Sequence, residues 1–297
     1  MELGRIGTAM VTPFSHSGDI DFDLTEQLIE HLIATGTDSL IVCGTTGESP
    51  TLSHQEKSNI FKYAIEIVRK RIPVFAGTGT FNTAETVKLT KLADELGADG
   101  IMLVTPYYNK PDQKGMVAHF THIANQTELP ILLYNIPGRV AVNMEAKTVI
   151  ELSKVKNIRG VKEASGSLDQ MSEIISGTDS GFKLYSGDDA LTLPVLAIGG
   201  DGVISVASHI VGNEMQQMIN AFISGDTTKA AEMHRTLLPL FNAVFSAPNP
   251  IPVKYALTKL GIDTGGVRMP LVSGFKEGTA AFDKVWNKFK ENELIFQ

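Results

Sequence analysis

The chain has 297 residues, 43% hydrophobic and 20% charged, with a formal net charge of -7. That length can bury one large core, and the acidic balance, without a basic block of about five or six residues, argues against a nucleic-acid or anionic-membrane partner. The lone cysteine, Cys43, excludes an intramolecular disulfide; no run approaches the ~18 apolar residues of a membrane span, and residues 1–20 lack the apolar segment of a secretory signal, so the chain reads as cytoplasmic.

In chain order, short β-branched or apolar runs at 6–11, 39–42, 73–76, 100–104, 130–134, 158–162, 183–186 and 202–205 are predicted as buried strands. Helical patterns lie between them. Leu24, Leu28 and Leu32 recur at i, i+4 and i+8, and Ser53 with Glu56 forms a capping box ahead of Ile60, Ala64, Ile65 and Val68. Asn82 and Glu85 repeat that signal before Val87, Leu92, Ala93 and Leu96. The stride between strand ends is 29 residues from Gly77 to Pro106, 28 to Tyr134, 28 to Lys162 and 25 to Gly187. Such a near-constant βα stride predicts a closed parallel (β/α)8 TIM barrel rather than an open doubly wound sheet. The interval from Gly187 to Ser205 is only 18, so the seventh helix should be short. After Ser224 the strand signals stop. Helical patterns at 230–245 and 253–260 flank the breaker Pro248-Asn249-Pro250-Ile251-Pro252, and Phe282, Val285, Trp286 and Phe289 mark a last amphipathic helix. The expected organisation is a catalytic barrel over 1–224 and a C-terminal helical region over 225–297.

The active site of such a barrel is built at the C-terminal ends of its strands. Lys162 closes the sixth. Taken singly a lysine is usually a solvated surface charge, but strand alternation sets this one on an apolar wall with Ile158 and Gly160. Desolvation would lower its pKa from about 10.4 and free a nucleophilic amine. Tyr134 shares parity with Leu132, so its phenol should enter the barrel mouth one strand away, as a proton shuttle or as a satisfied core tyrosine. Thr45 and Thr46 offer hydroxyls and N–H groups that suit a small carboxylate, or an ordinary turn. Arg139 after a Pro-Gly turn supplies a forked donor for a second carboxylate. His119 and His122 lack zinc-site spacing and read as a helix face; Gly77-Thr78-Gly79 lacks the rest of a dinucleotide fingerprint; Cys43 reads as a small buried residue. Neither metal nor nucleotide chemistry is expected. Gly199-Gly200-Asp201-Gly202 raises a rival reading as a phosphate-binding barrel isomerase, and a non-catalytic binding barrel is a further alternative.

Segments 44–49, 105–111, 134–139, 160–165, 186–190 and 248–254 together resemble the pyruvate-dependent class I aldolase family across essentially the whole chain. Thr45-Thr46, Tyr107-Tyr108 and Arg139 bring it nearest to the dihydrodipicolinate synthase branch. The resemblance implies that Lys162 forms an imine with pyruvate, whose enamine attacks L-aspartate 4-semialdehyde in lysine and diaminopimelate biosynthesis, with no cofactor. It further implies that Tyr134 donates and accepts protons through Thr45 and through Tyr108 of a neighbouring subunit. Thr46 and the backbone of Ile204 would hold the pyruvate carboxylate near the Gly187 carbonyl, and Arg139 the semialdehyde carboxylate. A homotetramer, a dimer of dimers, is implied. An N-acetylneuraminate lyase or 2-keto-3-deoxy sugar acid aldolase would share the lysine and tyrosine but require a longer polyhydroxyl pocket. Lysine-inhibited relatives match here at Ser49, His54, Glu85 and Tyr107 but differ at Pro50, Lys57 and Phe81, so feedback inhibition is expected to be weak or absent.

Overall fold

The computed structural model describes residues 3–272 and 276–291. Its eight strands are β1 (Ile6–Ala9), β2 (Ser39–Val42), β3 (Val74–Gly77), β4 (Gly100–Val104), β5 (Ile131–Asn135), β6 (Ile158–Glu163), β7 (Lys183–Ser186) and β8 (Gly202–Ser205). They close in sequence order into one parallel barrel. β3 and β5 begin one residue later than expected, after Pro73 and Pro130, which carry no N–H for the ladder. Around them run α1 (Phe22–Ala34), α2 (His54–Val68), α3 (Thr83–Glu95), α4 (Gln113–Ala124), α5 (Pro137–Val140), α6 (Ala146–Leu152), α7 (Leu168–Gly177), α8 (Thr192–Ala197) and α9 (Ser208–Ile223). The helix between β7 and β8 is indeed short, with 6 residues.

Alternation along the strands divides the core into two layers. Outward-facing residues such as Val42, Leu103, Leu133 and Val161 meet helix residues including Leu28, Ile60, Phe61 and Phe120. Inward-facing Ile41, Phe75, Met102, Leu132, Tyr134, Tyr185 and Ile204 fill the barrel itself. The wall expected around Lys162 is corrected here. A bulge between β5 and β6 pairs Ile131 with Ile158 but Leu132 with Gly160, leaving Arg159 unpaired. Because the inserted residue inverts parity upstream of it, Ile158 packs in the outer layer and only Gly160 shares the Lys162 face. Downstream, Tyr134 lies directly beside Lys162.

The helix starts are set by side-chain caps. Ser53 and Glu56 bond reciprocally, as expected for a capping box. Asn82 caps Ala84 and Glu85 through its own side chain, but the Glu85 carboxylate turns instead to Lys88 and His54. Beyond the barrel lie α10 (Thr227–Ala243), α11 (Ile251–Thr258) and α12 (Lys276–Glu291). α10 packs between α9 and α12, where Phe282 and Trp286 stack with ring centroids 6.3 Å apart. Among the described residues no helix is long and apolar enough to cross a membrane.

Candidate active site

The β5–β6 register places the Lys162 Nζ over the Tyr134 ring, 4.4 Å from its centroid. Both side chains are buried, at 5% and 4% exposure. Burial lowers the Lys162 amine to about 8, against the charge of Asp189, which raises it, and with that of Arg139, which lowers it further. At pH 7 that leaves about one amine in ten neutral, a gain of roughly 300-fold over an unperturbed lysine. Burial pushes the Tyr134 phenol in the opposite direction, to about 12, while the Arg139 charge and the Thr45 hydroxyl pull it back. The phenol therefore keeps its proton at neutral pH while the amine beside it can lose one. The Lys162 arm has room because Gly187 has no side chain: a Cβ there would stand 3.2 Å from Lys162 Cε and 2.6 Å from Ala164 Cβ.

The loop after β2 forms the opposite wall. Thr46 is buried, and its hydroxyl accepts a hydrogen bond of 2.9 Å from the Asn249 amide. Two residues on, Glu48 adopts a left-handed backbone (φ 54°) and is clamped from the C-terminal region. The Lys254 Nζ lies 3.0 Å from Glu48 Oε1, and the Arg268 N–H donates to Glu48 Oε2 at 2.9 Å. The Phe14 ring receives both cations, Lys254 at 4.3 Å and Arg268 at 4.4 Å. The C-terminal region is therefore part of the site's framework. Sequence alone assigns no role to Asn249, Lys254 or Arg268, although residues 248–254 are among the segments that carry the family resemblance.

A cavity of about 260 Å³ opens at this end of the barrel, lined by Gly44, Thr45, Ser49, Met102, Tyr107, Tyr134 and Arg139 among others. Thr45, Tyr134 and Arg139 thus come together as expected. Lys162 joins them through its contact with the Tyr134 ring, Thr46 adjoins Thr45, and Ile204 shares the inner cluster with Tyr134. Arg139 is exposed on α5, where its guanidinium is free to meet a solute. Tyr108 behaves differently: it is 90% exposed with φ 67° and lies off the cavity lining, whereas Tyr107 lines it.

The rival signals have structural explanations. Gly202 begins β8, and hence lies at the end of the barrel opposite the cavity, where a Cβ would collide with the Arg5 carbonyl at 2.0 Å. The neighbouring Asp201 carboxylate is taken by Lys183 and the Leu184 N–H, which leaves a poor seat for a phosphate. His119 is buried on α4 against the Thr83 hydroxyl, 2.9 Å away, and burial lowers it to about 4. Cys43 is buried, and burial raises its thiol to about 12, far from a reactive thiolate. An apolar cavity with a primed amine, a proton-bearing phenol, paired threonines and a solvent-facing guanidinium suits covalent capture of a small keto acid.

Comparison with known proteins agrees with this chemistry. Residues 2–288 match the model of the dihydrodipicolinate synthetase family. A 4-hydroxy-tetrahydrodipicolinate synthase of Bacillus velezensis is 54% identical over 92% of this chain and 94% of its own length. One from Halalkalibacterium halodurans is 56% identical over 92% and 93%. Among solved structures, a dihydrodipicolinate synthase of Bacillus anthracis superposes with a TM-score of 0.95 at 48% identity, covering 97% of this chain and 98% of that one. A lysine-bound relative from Cyanidioschyzon merolae gives 0.95 at 44% identity, with coverage of 97% and 98%.

Proposed function

The chain belongs to the dihydrodipicolinate synthetase family, and we propose how the residues at its barrel mouth carry out the family reaction. That reaction condenses pyruvate with L-aspartate 4-semialdehyde to 4-hydroxy-tetrahydrodipicolinate, in lysine and diaminopimelate biosynthesis. Lys162 Nζ adds to the keto carbon of pyruvate, and the carbinolamine loses water to give an iminium. Loss of a C3 proton converts the iminium to an enamine, whose carbon attacks the aldehyde of the second substrate. The substrate amine then closes the ring on the former keto carbon and releases Lys162. Tyr134, protonated at neutral pH, supplies the proton to the departing hydroxyl and exchanges protons through Thr45.

Thr46, steadied by Asn249, and the backbone of Ile204 hold the pyruvate carboxylate, with the Gly187 carbonyl nearby. Arg139, exposed at the cavity rim, binds the carboxylate of the semialdehyde. The exposed Tyr108 completes the relay in a second copy of the chain, within a homotetramer built as a dimer of dimers. The observation that carries this reading is the buried Lys162 amine, held at about 8 against the Tyr134 ring. Incubation with pyruvate followed by borohydride reduction should add the pyruvate-derived mass to the Lys162 peptide; an unmodified peptide would refute the Schiff-base mechanism. Arg139→Ala should then abolish most turnover of aspartate semialdehyde while leaving the adduct intact, and indifference to that change would favour a sugar-acid aldolase.

A further inference from the structure

Behind the reacting pair stands a second pair in the same register. Asn135 follows Tyr134 on β5 and Glu163 follows Lys162 on β6, and the ladder sets Asn135 beside Glu163 just as it sets Tyr134 beside Lys162. Strand alternation turns the second pair away from the barrel interior, toward the helices. Both of its residues are fully buried. The Asn135 Nδ2 donates to Glu163 Oε1 at 3.1 Å and to Oε2 at 3.0 Å. The Ala164 N–H donates to the Asn135 carbonyl at 2.8 Å at the end of this ladder, so the side chains take over where the backbone pairing runs out.

The Glu163 carboxylate gathers two more donors. The Ser165 N–H, just beyond β6, reaches Oε1 at 2.7 Å, and Gln170 Nε2, on α7, reaches Oε2 at 3.1 Å. An ionised carboxylate can only accept, and each of these partners donates. Burial pushes the Glu163 carboxyl up, while the hydrogen bonds from Asn135, Ser165 and Gln170 pull it back. Asn135 carries the connection further: its Oδ1 accepts from the Met144 N–H at 3.0 Å, and its Nδ2 also donates to Asn143 Oδ1 at 2.8 Å. Asn143 and Met144 belong to the segment that follows α5, the helix of Arg139. One acceptor thus joins the strand ends that present Lys162 and Tyr134 to the chain beyond Arg139.

We propose that Glu163, acting through Asn135, is the positioning residue that sets the spacing of the Lys162 amine and the Tyr134 phenol. The proposal rests on the reading of Lys162 as the imine-forming residue. Glu163 touches no substrate and moves no proton in this scheme. It staples the two strand ends from behind, so that the nitrogen attacking the keto carbon and the phenol protonating the departing hydroxyl keep one geometry. The groups assigned to the pyruvate carboxylate, Thr46 and the Ile204 backbone, stand on the loop after β2 and on β8. A fault in the staple should therefore slow the chemistry and leave the grip on pyruvate in place.

Glu163→Gln tests this with little change of shape. Whichever way the new amide faces, its NH2 meets Asn135 Nδ2 and one further donor, the Ser165 N–H or Gln170 Nε2. Turning the Asn135 amide over only moves the conflict to the Met144 N–H. The strand ends must part to relieve it, and a displacement of about 1 Å at the reacting centre lowers a rate on the order of 100-fold. In the full-length enzyme, the rate of borohydride-trappable adduct formation on Lys162 at saturating pyruvate should fall by that order. The pyruvate concentration for half-maximal trapping should stay near its wild-type value. The swapped pair Asn135→Asp/Glu163→Gln again sets a donor against an acceptor and should recover much of the rate. If Glu163→Gln fails to fold, Gln170→Leu, which removes one donor and reverses none, should show the same split to a smaller extent. A folded variant that traps pyruvate at the wild-type rate would overturn the proposal. So would a loss expressed in half-saturation rather than rate, or a swapped pair no faster than the single variant; each would leave Glu163 a packing role. Absence of an adduct in the wild-type enzyme would instead bring down the Schiff-base reading itself.

Discussion

Gly187→Ala should cripple the enzyme through one atom. The new Cβ would sit 2.6 Å from Ala164 Cβ and 3.2 Å from Lys162 Cε, where relaxed carbon contacts need about 3.5–4.0 Å. The turn after β7 and the end of β6 must therefore part by about 1 Å, and the end of β6 carries the reactive amine. Overpacking of this kind costs about 1–3 kcal/mol of stability. A misplacement of about 1 Å at the reacting centre lowers activity on the order of 100-fold. Steady-state kcat/KM and urea denaturation measure the two effects. The double variant Ala164→Gly/Gly187→Ala removes the worse contact and leaves only the 3.2 Å approach to Lys162 and one of 3.4 Å to Ala164 Cα, so most of the activity should return. A single variant within threefold of wild type, or a double variant no better than the single, would refute the steric argument.

Lys254→Met strands the Glu48 carboxylate in the interior beside the threonine loop, and loss of one partner of a buried pair costs about 3–5 kcal/mol in denaturant titration. The double variant Glu48→Gln/Lys254→Met should recover most of that loss; an isolated cost near zero would show the pair to be dispensable. Free L-lysine should inhibit weakly or not at all. The Glu85 carboxylate is already engaged by Lys88 at 2.8 Å and His54 at 3.2 Å, Phe81 packs edge-on against Tyr107, and Lys57 adds a buried ammonium without a carboxylate partner among the described residues. Half-inhibition at low millimolar lysine or tighter in the synthase assay would contradict this.

The barrel was legible because each strand is a compact apolar run and each βα unit repeats at nearly the same length. Lys162 and Tyr134 were legible as neighbours because equal stride brings equivalent strand ends together. Ile158 was misplaced because a bulge depends on the partner strand, and no local pattern distinguishes Arg159 from an ordinary alternating residue. The second capping box failed in part because Glu85 found cationic partners across the surface, a competition invisible along the chain. Asn249, Lys254 and Arg268 were illegible for a deeper reason: their partners Thr46 and Glu48 lie some two hundred residues away, and only the folded barrel brings them together.

The clasp between the threonine loop and the C-terminal region also orders events during translation. Thr46 waits 203 residues for Asn249, and Glu48 waits 220 for Arg268. At roughly 5–20 residues per second the ribosome needs about 10–40 s to deliver them. All eight strands have been made by then, so a nascent chain can close its barrel and bury Lys162 while the threonine loop still lacks Asn249, Lys254 and Arg268. The threonine loop thus gains its full support only with residues 249 to 268, and on the role proposed for Thr46 a chain cut short between the barrel and that clasp would hold its buried amine beside a loosened carboxylate site.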